Sequence, residues 1–133
     1  MEIISEEKMS LKKTAQILDE AYLEVVKTDG DKLIVDVGGC KVLVFFDDEK
    51  KIISFVSIWG FESGSEIQRL KLANQLNDEL ILVRFHVNEG SSALWCDQQI
   101  LVKGGISAKW LVLSLKRFGE VCSGAVKMHP DFF

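Results

Sequence analysis

Hydrophobic positions along the chain first recur at helical spacing and then at strand spacing. One apolar stripe runs along a first predicted helix, for which Ser10 or Ser5 is available as the capping residue. Its members are Leu11, Ala15, Leu18 and Tyr22. From position 22 to position 59, β-branched and aromatic residues follow a period of two, with short polar or Gly-rich turns between the runs. Short turns join antiparallel neighbours, so the pattern predicts four antiparallel strands at 22–27, 32–37, 41–46 and 51–59.

The second half of the chain predicts a helix, a hairpin and a longer helix. Ser65 and Gln68 have the spacing of a capping box at the head of the second helix. Its apolar side chains are Ile67, Leu70, Leu72, Ala73 and Leu76. Strands at 80–87 and 93–102 flank a turn, and the third helix starts after Ser107 and ends before Pro130. The apolar stripe of this third helix consists of Leu111, Leu115, Phe118, Cys122 and Ala125.

The order of elements, α-β-β-β-β-α-β-β-α, predicts the fold class. It indicates an α+β domain in which helices pack on an antiparallel sheet of five or six strands. No linker, repeat or low-complexity segment interrupts the pattern. Residues 1–133 are therefore expected to form a single domain.

Two of the predicted strands are apolar on both faces. Strand 32–37 alternates, whereas 41–46 and 51–59 carry large apolar residues at odd and at even positions. Three helices cover one face of such a sheet, so part of the second face needs another cover. Either a helix or tail of this chain wraps over it, or a second protein molecule does, and we favour a homodimer or a protein partner. The candidate partner or dimer surface consists of Leu43, Phe45, Ile53, Phe55 and Trp59, and the second predicted helix is the alternative dimer interface.

Composition and charge narrow the possible functions. Hydrophobic residues make up 47% of the chain, and 20 acidic against 16 basic side chains give a net charge of −4. An acidic chain is a poor binder of phosphate backbones, so nucleic acid is not an expected partner. No signal-peptide pattern and no apolar run long enough to span a membrane is found. Three cysteines without a C-x-x-C pair favour reduced thiols and a cytoplasmic location.

Candidate catalytic and metal-binding residues are few. His86 follows Arg84 on the wetter side of its strand, but no motif supplies the nucleophile or carboxylate that a general base needs. His86 and the cysteines Cys40, Cys96 and Cys122 are too scattered to suggest a metal site. The sequence thus predicts no enzyme activity, no metal and no cofactor.

Several short segments resemble the YbjN family. They are 22–25, 29–33, 38–47, 76–80 and 104–107, within a resemblance that covers about residues 10–130. That family is described as "putative bacterial sensory transduction regulators", and its fold is similar to that of type III secretion chaperones. Two departures stand out. The first helix ends in Asp19-Glu20-Ala21-Tyr22 where the family commonly has Gly, and the segment after Asn77 is the very apolar Leu80-Ile81-Leu82-Val83.

The resemblance implies a function without a catalytic residue. It implies a non-enzymatic bacterial regulator or chaperone-like adaptor that binds another polypeptide, as chaperones of this architecture do as homodimers. One alternative is a small-ligand-binding domain or an enzyme without a recognisable motif, with a pocket between helices and sheet near Arg84, His86 and Trp95. Another is a nucleic-acid-binding regulator, which would need a basic surface.

Overall fold

A computed structural model describes residues 2–133. Within these residues it contains three α-helices, which are α1 (Leu11–Glu20), α2 (Glu66–Glu79) and α3 (Ala108–Lys127), and a 3-10 turn at Glu6–Lys8. Six strands form the main sheet: β2 (Glu24–Asp29), β3 (Lys32–Val37), β4 (Cys40–Asp47), β5 (Ile52–Gly60), β6 (Arg84–Val87) and β7 (Ala93–Leu101). Two further strands, β1 (Ile3–Ile4) and β8 (Ile106–Ser107), pair with each other. The α+β class and the predicted element order are confirmed, apart from this additional short pair.

The main sheet is antiparallel throughout, in the order β2-β3-β4-β5-β7-β6. The register places one set of alternating side chains on a single face, where α3 contacts β3, β4 and β5, α1 contacts β2 and β3, and α2 contacts β6. We call this side the helix-covered face. Its fully buried members include Leu33, Val35, Val42, Val44, Ile53, Phe55, Phe85, Leu94 and Cys96.

The third helix supplies the centre of the core. All five residues of its predicted stripe are buried, and the Phe118 ring lies 5.7 Å from that of Phe55. Gly119 lets the helix approach β3 closely, because a β-carbon added there would lie 2.6 Å from Val37 Cγ1. The cap at Ser107 is also as predicted, since its hydroxyl accepts the Trp110 N–H at 3.2 Å.

The second helix closes the β6 edge of the sheet. The predicted capping box is present, with Ser65 and Gln68 bonded to each other's backbone N–H groups. Near the end of α2, the Asn77 amide accepts the Phe85 N–H and donates to the Phe85 carbonyl, both at 2.8 Å. One side chain thereby replaces the neighbouring strand that this edge residue lacks.

Three details of the predicted elements are wrong. Tyr22 is 96% exposed and does not continue the stripe of α1, because the helix ends at Glu20 in a Schellman arrangement that places Tyr22 at a φ of 63°. The hydrogen bond from the Leu23 N–H to the Leu18 carbonyl completes that arrangement. The strand predicted from position 80 begins only at Arg84, and Ile67 and Leu70 on α2 are exposed rather than buried.

Asp36 stabilises the turn between β3 and β4. Its carboxylate accepts the Gly39 N–H at 2.8 Å and pairs with Lys41 Nζ at 3.3 Å. The bond from Gly39 first, and that from Lys41 second, lower the pKa of Asp36 below its ordinary value of 3.8. Because the folded pKa is the lower one, this stabilisation is complete above the ordinary value and is lost as pH falls through the folded pKa.

The variant Asp36→Asn tests this turn. We expect it to unfold at lower urea than the wild type at neutral pH, and the gap to narrow as pH falls from about 4 to about 2, where the wild-type carboxyl is protonated as well. Glu49→Gln, which removes an exposed charge from the next hairpin, is the control and should unfold like the wild type. A gap for Asp36→Asn that is the same at every pH would contradict the assignment.

Candidate binding surface on the open face of the sheet

The second face of the sheet carries a row of apolar side chains that are not buried. We call this side the open face. The register aligns Ile34 with Leu43, Leu43 with Val56, and Ile58 with Trp95, so these residues cross the sheet from β3 to β7. The apolar members of the open face are Ile34, Leu43, Phe45, Ile52, Val56, Ile58, Trp95 and Leu101, all half-buried or exposed.

Charged pairs flank this apolar row on two sides. Between β6 and β7, the Arg84 guanidinium binds Asp97 through two nitrogens, with Nη2 2.8 Å and Nε 3.1 Å from carboxylate oxygens. The hydrogen bond to Asp97 raises the pKa of Arg84, so the guanidinium stays charged. Between β3 and β4, Asp36 and Lys41 form the second pair. The open face is therefore apolar in the middle and electrically balanced at these two flanks.

A concavity of about 800 Å³ lies on the open face beside the Arg84–Asp97 pair. Phe45 and Trp95 line it together with Arg84, His86 and Asp97. The His86 ring lies 5.9 Å from the Trp95 ring, and its Nδ1 is 3.8 Å from Asp97 Oδ2. Arg84, His86 and Trp95 thus meet, as the ligand-binding alternative expected. The expected location between helices and sheet is wrong, because all three side chains lie on the side away from the helices.

The structure divides the predicted partner surface between the two faces. Leu43 and Phe45 lie on the open face and are half-buried. Ile53 and Phe55 are 0% exposed in the core, and Trp59 shares their face, where it is half-buried. The assignment of Ile53 and Phe55 to an outer surface is wrong, because the register pairs Val44 with Phe55 and so reverses the parity expected for β5. Sequence reasoning also left Val56 and Trp95 out of this surface, because the register, and not alternation alone, assigns them to the open face.

The three cysteines meet in the core rather than at a reactive site. Cys40 Sγ lies 3.5 Å from Ser57 Oγ on the helix-covered face. A hydrogen bond with Cys96, together with burial, raises the pKa of Cys122, and burial raises that of Cys40. Buried thiols that resist ionisation are poor nucleophiles. Among residues 2–133, no cluster of His, Cys, Asp and Glu has the composition of a metal site.

Comparisons with known proteins identify relatives of this fold. The family model described as "YbjN: Putative bacterial sensory transduction regulator" matches residues 12–127. The crystal structure of YbjN from E. coli, described as "a putative transcription regulator", superposes with a TM-score of 0.78 at 14% identity, covering 94% of this chain and 96% of that one. An uncharacterised protein from Methanothermobacter thermautotrophicus superposes with a TM-score of 0.68 at 14% identity, covering 90% and 96%. A search of curated proteins found no match.

In the described part of the chain, no helix is both long and apolar enough to cross a membrane.

Proposed function

This chain belongs to the YbjN family, and from that premise we propose that it is a non-enzymatic regulator that binds protein and acts as a homodimer. The family description supports the regulatory role. The observation that carries protein binding is the open face, where Leu43, Phe45 and Trp95 are partly exposed although each belongs to a central or near-central strand. Apolar surface of this kind is most strongly stabilised by a second protein surface.

The dimensions of the open face favour a second copy of the chain as its cover. Six strands at about 4.8 Å spacing make the sheet about 25 Å wide, and the nine residues of β5 extend about 30 Å. Such a footprint approaches the roughly 800 Å² that each partner buries in a stable interface. The Arg84–Asp97 and Asp36–Lys41 pairs are each neutral. Two open faces packed about a two-fold axis therefore bring no unpaired charges of the same sign together at these pairs.

Other features support the non-enzymatic and cytoplasmic parts of the proposal. His86 faces Trp95 and an Asp97 that is already bound to Arg84, and within residues 2–133 no hydrogen bond joins it to a hydroxyl or thiol that could act as a nucleophile. Three free cysteines suit a reducing compartment, which we take to be the cytoplasm. The net charge of −4 supports a partner other than nucleic acid.

The variant Phe45→Glu tests the homodimer. Phe45 lies on the open face, half-buried, so a carboxylate there should leave the fold intact but be costly to bury against a second copy. We expect sedimentation velocity at micromolar concentration to give the wild type twice its 15.0 kDa chain mass, and the variant the mass of one chain. Circular dichroism checks that the variant remains folded.

The control introduces the same charge elsewhere. Ile67 on α2 is 61% exposed and lies on the helical side of the domain, so Ile67→Glu should remain dimeric. A folded Phe45→Glu protein at the dimer mass would rule out the open face as the interface. A strictly monomeric wild type would instead favour the second candidate function, binding of a small ligand in the concavity beside Arg84, His86 and Trp95.

A further inference from the structure

The outward side of α3 forms a second exposed apolar surface. The helix buries one side against the sheet, so its opposite side faces away from the open face described above. Trp110, Leu113 and Arg117 lie three and four residues apart on that outward side, along one stripe. Trp110 is 58% and Leu113 48% exposed. Two large apolar side chains of the helix therefore stand in solvent next to a guanidinium group.

The loop between α2 and β6 continues this surface. Arg117 Nη2 donates a hydrogen bond to the Ile81 carbonyl at 3.2 Å, which brings the loop against the helix stripe. The side chains of Ile81 and Leu82 are 71% and 66% exposed. We call the five residues Trp110, Leu113, Arg117, Ile81 and Leu82 the α3 surface. Contiguous exposed apolar patches are uncommon in monomeric proteins and mark sites of interaction.

The backbone of the loop is held in an unfavourable conformation. Leu82 has a φ of +69°, in the left-handed region that bulky residues rarely occupy. Strain of this kind costs of order 1–3 kcal/mol and persists only where the surroundings enforce it. Here it accompanies two adjacent apolar side chains that are both directed towards solvent. A loop selected for stability alone would gain by relaxing this residue, so the strain is consistent with a binding role.

The exposed side of helix α3, on which Arg117 of the α3 surface lies, carries more cations than carboxylates. Lys109, Lys116 and Arg117 lie on the exposed side of α3, and in residues 2–133 none of them belongs to an ion pair. Glu120, one turn further along, is the acidic residue of this helix. In addition, Arg117 Nη1 is buried and has no hydrogen-bond acceptor among the described residues. That nitrogen is out of reach of a partner, but Arg117 as a whole is only half-buried, so an anionic group can approach the accessible part of its guanidinium and complement the cations of the helix.

We propose that the α3 surface binds an acidic, apolar segment of another polypeptide. Its apolar side chains would cover Trp110, Leu113 and the Ile81–Leu82 loop, while one of its carboxylates accepts a hydrogen bond from Arg117. The hydrogen bond to the Ile81 carbonyl already fixes the orientation of the Arg117 guanidinium. A guanidinium in a fixed orientation binds one carboxylate better than it binds a spread-out negative charge. Three cations are fewer than the four to eight of a typical lipid-binding cluster, and the acidic chain disfavours nucleic acid, so a peptide is the best match.

Selection from a random peptide library tests the inference, because it needs no named partner. Peptides displayed on phage are panned against the wild type, and the selected sequences are synthesised with a fluorophore for anisotropy titration. We expect enrichment of Asp or Glu next to Leu, Ile or Phe, with binding that weakens as salt increases. Phe45→Glu, which changes only the open face, should bind these peptides as the wild type does.

Matched variants on α3 locate the binding site. Arg117→Gln and Trp110→Ser are expected to raise the Kd at least about tenfold, because each removes a central contact of the surface. Lys127→Gln removes an exposed cation at the far end of the same helix and should change the Kd less than about twofold.

Several outcomes would overturn the proposal. They are a library that yields no enriched sequence, enrichment of basic peptides, or binding that neither Arg117→Gln nor Trp110→Ser weakens. Co-sedimentation with phosphatidylserine vesicles that Arg117→Gln abolishes would also overturn it, by assigning the surface to membranes instead.

Discussion

Replacing Phe55 with alanine is expected to lower the free energy of unfolding by about 3–5 kcal/mol. The Phe55 side chain is 0% exposed and its ring packs 5.7 Å from that of Phe118, between β5 and α3. Alanine would leave a cavity that the helix fills poorly, because Gly119 already contacts Val37 and limits how far α3 can move. Urea unfolding followed by circular dichroism should show a lower midpoint at an unchanged slope.

Ile58→Ala is the control for this variant. Ile58 lies on the same strand but on the open face, where it is 44% exposed, so its truncation should cost less than about 1 kcal/mol. A loss of unfolding free energy for Phe55→Ala as small as that for Ile58→Ala would contradict the observed register. Such a result would support the sequence-based placement of Phe55 on an outer surface.

Gly119→Ala and Gly124→Ala are expected to change stability in opposite directions, although both glycines lie in α3. A β-carbon at 119 would come within 2.6 Å of Val37 Cγ1 and 2.9 Å of Val37 Cβ, atoms that a short branched side chain cannot move aside. Overpacking of this kind costs about 1–3 kcal/mol, against the roughly 1 kcal/mol that alanine adds in helix propensity. We therefore expect a net destabilisation for Gly119→Ala.

At position 124 only the favourable contribution applies. Apart from its chain neighbours and the nearby backbone of α3, no atom of residues 2–133 lies within 4 Å of a β-carbon added there, so Gly124→Ala should stabilise the protein by about 0.5–1 kcal/mol. Thermal unfolding of the two variants side by side measures the difference. A stabilised Gly119→Ala protein would indicate that α3 lies farther from β3 than described.

Local patterns predicted the elements of the fold because each has a local cause. Ser65 and Gln68 satisfy the first N–H groups of α2 by themselves, and the stripe from Leu111 to Ala125 specifies the buried side of α3. Tyr22 was misplaced because helical spacing continues past the end of α1, whereas a turn with a positive φ ends it. Glycine commonly marks such a turn, and tyrosine gives no comparable signal.

The candidate surfaces were harder to predict because they depend on register and on neighbours distant in sequence. In β5, either parity presents large apolar residues, so alternation alone could not assign Phe55 to the core and Val56 to the open face. The sequence did not single out the cations of α3, because residues 67–133 as a whole have a net charge of only +2. Some acidic residues of this half, such as Asp97, lie on the other face of the domain. Only the fold separates the two sets.

The pairing of β1 with β8 has a consequence for synthesis of the chain. Ile4 and Met9 are buried, and beside this pair the Gly104 N–H donates to a carboxylate of Glu6, a contact between residues 98 positions apart. At a translation rate of about 5–20 residues per second, β8 leaves the ribosome roughly 5–20 s after β1, and β1 has no strand partner during that time. The amino-terminal segment is thus among the first parts of this domain to be made and among the last to be ordered.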